Sequence, residues 1–212
     1  VRTPLQSRSS TSADRMLDAT LALLASGGLS AVTVAAVAAE AGTSNGSLYH
    51  RFRDRTGLLL AAQDRALGAI EAATAAAFAR ADAEPSDGEA LALLCRAALE
   101  IFERHHGAMR AFLVEAQGQP EFEPRTRAAS HLLATTVTGW LQRRLGTSPA
   151  DAEAAWRVLF AIGAAQALFA DEDVSPGRVS PDELASALTR AVAAVVGQPV
   201  ETIADASEPT TG

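Results

Sequence analysis

Between residues 33 and 58 the chain is punctuated more tightly than anywhere else, and that spacing leaves little choice of fold. Thr33, Ser44 and Asp54 are each good helix N-cap residues, and Gly42 falls just ahead of the second. Thr33 opens a helix in which Val34, Val37, Ala38 and Ala41 recur on one face. Gly42 supplies the left-handed backbone that closes it. Ser44 opens a very short helix that buries Leu48 and Phe52, four residues apart. Asp54 restarts the chain as a long helix, reaching about residue 82, with Leu60, Leu67 and Ile70 on its inner side. Upstream, a helix from Ser12 carries Leu17, Leu21 and Leu24 on one stripe and ends at Gly27-Gly28. Two brief helices joined by a tight glycine turn form a helix-turn-helix, the arrangement that offers one helix end to the DNA major groove.

The third helix leaves Asn45, Gly46, Ser47, Tyr49, His50 and Arg51 outside its Leu48/Phe52 stripe. These side chains suit a nucleic-acid surface. An Asn amide pairs bidentately with adenine, which makes Asn45 the first candidate for base readout. Gly46 lets backbone approach the bases closely, and Ser47 is short enough to reach backbone or base. Arg51 fits a phosphate, and His50 a phosphate or a base edge. Thr33, Ser44 and Arg55 lie at helix N-termini, where free N–H groups and the helix dipole attract anions. As caps, Thr33 and Ser44 are also explained by structure alone.

The rest of the chain reads as helix throughout. Ala supplies nearly half of the apolar residues, β-branched residues are sparse, and no alternating strand pattern or internal repeat occurs. Ala83-Glu84-Pro85 marks a boundary, followed by the capping-box pattern of Ser86 and Glu89. A helix to His105-His106 follows, then a shorter one over 109–117, then one opened by Pro124 that runs to Leu145. Ser148-Pro149 and Ser180-Pro181 each place a cap before a first-turn proline and open the last two long helices. The expectation is an all-α chain of about nine helices. Residues 12–57 form a DNA-binding domain, 58–197 a helical effector-binding and dimerisation domain, and 1–11 and 198–212 flexible tails.

The formal charge of −7 is unevenly spread. Residues 1–67 hold seven Arg against five acidic residues, and residues 68–212 eleven against twenty. Charges more than roughly 10 Å apart in physiological salt are largely screened, so an acidic body is compatible with a basic reading head. Arg2 and Arg8 fit an unstructured arm better than a minor-groove contact. A polar N-terminus without an apolar core, a single cysteine and the absence of a long apolar run point to a cytoplasmic protein.

Residues 15–60 resemble the N-terminal domain of the tetracycline-repressor (TetR) family of bacterial regulators. The likeness rests on Thr33, Val37-Ala38, Ala41-Gly42, Ser44, Gly46, Leu48-Tyr49, Phe52, Arg55 and Leu58, in register without gaps. It implies that Thr33, Ser44, Tyr49 and Arg55 lie on or beside the DNA backbone. It further implies a homodimer formed through the last two helices, a pseudo-palindromic operator, and a small-molecule effector that releases a repressor from DNA. Three positions depart from the family pattern: Asn45 and Arg55 stand where Lys is usual, and Gly57 sits early in the fourth helix.

In the body, Phe102, Met109, Phe112, Trp140 and Phe160, with His106, Gln117 and Gln166 nearby in sequence, are candidates for a mostly apolar effector pocket. Adjacent His105 and His106 project about 100° apart on a helix and chelate poorly, so no metal or other cofactor is expected. No catalytic constellation stands out, so the chain is not expected to be an enzyme. The small faces of Gly163-Ala164-Ala167 and of Ala191 and Val195 suit close helix packing in a dimer. The competing reading is a helical small-molecule or lipid-binding protein that does not bind DNA.

Overall fold

A computed structural model describes residues 5–198, and side chains from residue 12 onward. It is all helical, with no strand among the described residues. The helices are α1 (Leu5–Ala31), α2 (Val34–Glu40), α3 (Asn45–Phe52), α4 (Arg55–Ala83), α5 (Asp87–Arg104), α6 (His106–Met109), α7 (Glu123–Leu145), α8 (Pro149–Leu168), α9 (Asp171–Val174) and α10 (Pro181–Val195). α6 runs directly into a π-helical segment, Arg110–Glu115, so the two form one continuous element. Arg2 and residues 199–212 lie outside the described residues, as do the side chain of Arg8 and most of the expected C-terminal tail.

The local signals act where the sequence places them. Thr33, Ser44, Asp54, Ser86, Ser148 and Ser180 each accept a backbone N–H three residues on. Ser180 and Glu183 complete a reciprocal capping box. The first helix starts at Leu5, seven residues earlier than its apolar stripe implies, and it breaks at Gly28, whose φ of 65° is left-handed.

Three contiguous cores hold the elements together. One joins α1–α4 to the α6/π segment through Met16, Leu24, Val37, Leu48, Leu58, Ala111 and Phe112. Another lies among α4, α5, α7, α8 and α10 around Leu91, Cys95, Trp140, Leu188 and Val192. A smaller one, with Ile70, Phe102, Met109 and Ala167, connects them. α4 runs through all three and is the spine of the molecule.

One expectation about faces is reversed. Gly163 and Ala167 are buried and point inward, where a Cβ on Gly163 would overlap the ring of Phe102. Close approach to an aromatic ring within the chain, not packing against a second copy, explains that glycine. On α10, Ala191 and Ala194 do face outward.

Candidate nucleic-acid interface and internal cavity

The reading head is built by capping and by two buried residues. Thr33 Oγ1 accepts the Ala36 N–H at 3.1 Å, and Ser44 Oγ the Ser47 N–H at 3.2 Å. Between them the chain turns at Gly42, whose φ is 59°. Thr43 N donates to Ala38 O at 2.9 Å across this turn, satisfying a carbonyl at the end of α2. Leu48 is fully buried and Phe52 partly so, which pins the inner face of α3 and turns the other face out. Asn45, Gly46, Ser47, Tyr49, His50 and Arg51 all lie on that exposed side. Tyr49 is 53% exposed, so its phenol is not a core group. A polar groove runs between α3 and the start of α1, lined by Ser12, Ala13 and Met16 on one side and Ser44, Gly46, Ser47, His50 and Arg51 on the other.

α3 ends at Arg53, a non-glycine residue with a left-handed φ of 71° whose N–H donates to Tyr49 O at 2.9 Å. This sharp reversal brings the start of α4 under the Phe52 carbonyl, and a Cβ at Gly57 would collide with that oxygen. The departure at Gly57 therefore has a steric cause. Arg55 Nε donates to Val32 O at 2.6 Å and Nη2 to Leu29 O at 2.5 Å. Its guanidinium ties the start of α4 to the α1–α2 junction.

Head and body meet at that same junction. Glu115, on the π-helical segment, accepts the Leu29 N–H at 2.6 Å on Oε2 and pairs with Arg110 Nε at 3.1 Å through Oε1. A Cβ at Gly28 would overlap the Glu115 carboxylate, and one at Gly107 would overlap the Ala25 backbone. Both glycines permit a close approach between α1 and the α6/π segment.

Inside the body lies a cavity of about 100 Å³, walled by α4, α5, the α6/π segment, α7, α8 and α10. Its lining is almost wholly apolar and holds no ionisable side chain; Thr74, Thr126 and Ser130 supply its hydroxyls. Phe102 and Phe160 meet edge-on there, 5.8 Å between centroids, and Trp156 stacks obliquely on Phe160. Trp140 turns its N–H outward to Asp82 at 2.7 Å and presents its ring edge to Phe78.

Residues 16–62 match the model for bacterial regulatory proteins of the tetR family. The HTH-type transcriptional regulator BetI of Cronobacter sakazakii is 29% identical over 134 residues, which span 62% of this chain and 66% of that protein, just under two thirds of its length. Residues 16–62 thus carry the N-terminal domain pattern of the tetR family. Solved structures share the fold: a transcriptional regulator from Rhodococcus sp. Rha1 aligns with a TM-score of 0.71 at 23% identity, over 87% of this chain and 96% of its own. The multidrug binding protein EbrR, complexed with malachite green, aligns with a TM-score of 0.63 at 23% identity, over 89% of this chain and 98% of its own.

All nine residues expected at DNA lie on α3 or at the helix starts flanking it. Of the eight expected at a pocket, Phe102, Met109, Phe112, Trp140 and Phe160 line the cavity. His106, Gln117 and Gln166 do not: all three are exposed. His106 Nδ1 donates to Glu103 O, and Gln117 Nε2 to Leu113 O, as surface polar groups on a helix do. Neighbouring His105 is half-buried, and burial first, then the Arg104 charge, hold its imidazole below the ordinary range. Sequence reasoning missed Glu115 and the three cavity hydroxyls. Thr126 and Ser130, one turn apart on α7, carried the only available signal, a small polar stripe on a helix with a buried face. No group of three or more His, Cys, Asp and Glu side chains is placed to hold a metal among the described residues. Among them, no helix is long and apolar enough to cross a membrane.

Proposed function

We propose that this chain is a transcriptional repressor that binds a pseudo-palindromic operator as a homodimer and leaves it when a small molecule enters the body cavity. The observation that carries the reading is α3: an eight-residue helix pinned by Leu48, with six polar or glycine positions exposed on one face. Asn45 reads a base edge, with Gly46 and Ser47 allowing close approach. Thr33, Ser44, Tyr49, His50, Arg51 and Arg55 hold the phosphate backbone, Arg55 while also bracing the α1–α2 junction. The outward faces of α8 and α10, with Ala161, Ala191 and Ala194 exposed, form the two-fold contact. EbrR was solved complexed with malachite green, which favours a small molecule as occupant of the corresponding cavity.

Release follows from shared walls. Ala108, Met109, Phe112 and Leu113 line the cavity, and the same segment grips α1 through Gly107 and Glu115. α4 carries Leu58 and Leu59 in the core of the head and Leu67, Ile70 and Thr74 in the cavity wall. An occupant that prefers a different placement of these walls changes the spacing of the two heads, by no more than its differential affinity for the two states.

Selection of bound sequences from a random double-stranded pool, followed by salt titration of the winner, tests this. A palindrome should enrich, and log affinity should fall with log salt at a slope of about −0.9 per phosphate neutralised. If nothing enriches at low salt while the chain is dimeric, the reading fails and a helical small-molecule or lipid-binding protein without DNA binding takes its place.

A further inference from the structure

The three hydroxyls on the cavity wall have no acceptor among the described residues. Thr135, Thr136 and Thr138, on α7, each donate back to a carbonyl four residues earlier at 2.8 Å. Helical hydroxyls do this readily. Thr126 and Ser130, one turn apart on this helix, and Thr74 on α4 line the cavity and donate to no protein group among the described residues. Thr126 is also pre-oriented: its Oγ1 accepts Gln63 Nε2 at 2.9 Å, and Gln63 is itself 1% exposed and anchored on Phe122 O at 2.9 Å. With that lone pair occupied, the Thr126 O–H is left to donate.

The charges around the cavity are equally informative. No Asp, Glu, Arg or His lines it. Of the two indoles on its wall, Trp140 already gives its Nε1–H to Asp82 outside. A carboxylate or an ammonium placed here would lose its hydration and find no counter-charge, which is prohibitive in apolar surroundings. An apolar body loses nothing on entering, and a cavity of about 100 Å³ is of the order that holds a single aromatic ring.

We infer that the cavity takes a neutral, predominantly apolar molecule with one hydrogen-bond-accepting oxygen, seated against the hydroxyls of Thr126 and Ser130. This rests on the reading of the cavity as the effector site and adds the chemical class. The oxygen is a carbonyl, ether or alcohol; fatty acids, amines and quaternary cations are excluded. The hydroxyls set orientation, and the rings of Phe102 and Phe160 cover the apolar end.

Four probes of one shape test it on the full chain by calorimetry: 4-methylacetophenone, 4-methylbenzoate, 4-methylbenzylammonium and 4-ethyltoluene. The ketone should bind at least tenfold more tightly than either ion. Thr126→Val combined with Ser130→Ala should weaken the ketone about three- to tenfold and leave 4-ethyltoluene unchanged. Ser130→Ala alone keeps the Gln63 bond and is the variant to use if the double substitution does not fold. An ion binding as tightly as the ketone overturns the inference. So does an unchanged ketone-to-hydrocarbon ratio in the variants, or binding by none of the four. Operator binding measured on the same samples separates the two claims. Intact operator binding without ketone binding removes the ligand class only; ketone binding without any operator binding removes the repressor reading only.

Discussion

At Arg55 one side chain braces the fold and, in the proposed reading, also holds a phosphate, which changes how its substitution must be read. Two of its N–H groups hold the Leu29 and Val32 carbonyls, so Arg55→Ala removes charge-assisted bonds as well as a phosphate contact. Partial exposure of the group reduces their worth, and a loss of about 1–2 kcal/mol is expected in urea titration alongside weaker operator binding. Tyr49→Phe should behave differently. Its phenol is exposed, so operator affinity should fall severalfold with the melting temperature unmoved and, because no charge is lost, the salt slope unchanged. Two glycines of α4 make a second contrasting pair. Helix propensity alone favours Ala at both by up to about 1 kcal/mol. At Gly68 a Cβ meets nothing within 4 Å, and Gly68→Ala should raise the melting temperature. At Gly57 the Cβ meets the Phe52 carbonyl, and Gly57→Ala should lower it despite the better propensity. Thermal melts of the two variants decide whether sterics override propensity there.

Elements that depend on near neighbours were legible in the sequence, and elements that depend on distant ones were not. The side-chain caps Thr33, Ser44, Asp54, Ser86, Ser148 and Ser180 each bond three residues on, so residue type and spacing sufficed to place them. The π-helical turn at Arg110–Glu115 has no such local signature; it follows from the α6 segment being gripped by α1 through Gly107 and Glu115. Glu115 and Leu29 are 86 residues apart, beyond any periodicity. The same limit misplaced His106, Gln117 and Gln166, whose faces depend on which neighbours cover them; His106 also opens α6 where the sequence placed it at the end of α5, and Gln117 lies in the turn past the π-helical segment. Glu115 is the element-scale test of release. Glu115→Gln keeps the shape but weakens a charge-assisted bond; amide exchange at Leu29 should accelerate, and the ratio of operator affinities with and without a bound effector should shrink towards one. At α10, the Ser180 N–H and hydroxyl hold the Glu183 carboxyl below its ordinary value of 4.5. A depressed carboxyl contributes stability above its unfolded pKa and loses it as pH falls through the folded one. Melting temperature should therefore drop between about pH 5 and 3, and Glu183→Gln should flatten that part of the profile.

For the whole molecule, charge and symmetry bear on how the proposed repressor would gain affinity from a weak reading head. One α3 offers a single short helix to one half-site, and the body behind it carries most of the chain's negative charge, twenty acidic residues against eleven Arg over 68–212. A lone copy therefore gains little from long-range attraction, and useful affinity has to come from two heads held at fixed spacing, where the second half-site is met at high effective concentration. Ala191 and Ala194 are exposed on α10, while its Leu188 and Val192 are buried in the body core. Ala194→Arg should consequently leave the folded monomer intact and place a charge in the two-fold contact, where it has no partner. Sedimentation should show the variant as a monomer with an unchanged far-ultraviolet helical spectrum. Operator affinity at nanomolar protein should fall by at least about a hundredfold, and raising the protein concentration should recover part of it as the weakened dimer re-forms. A monomeric variant with undiminished operator affinity would show that one head suffices, and the α8/α10 contact would then lose its part in repression. If the variant remains dimeric, the two-fold contact lies on another face, and the exposed apolar side chains of Phe169, Val174 and Val179 between α8 and α10 become the next surface to charge.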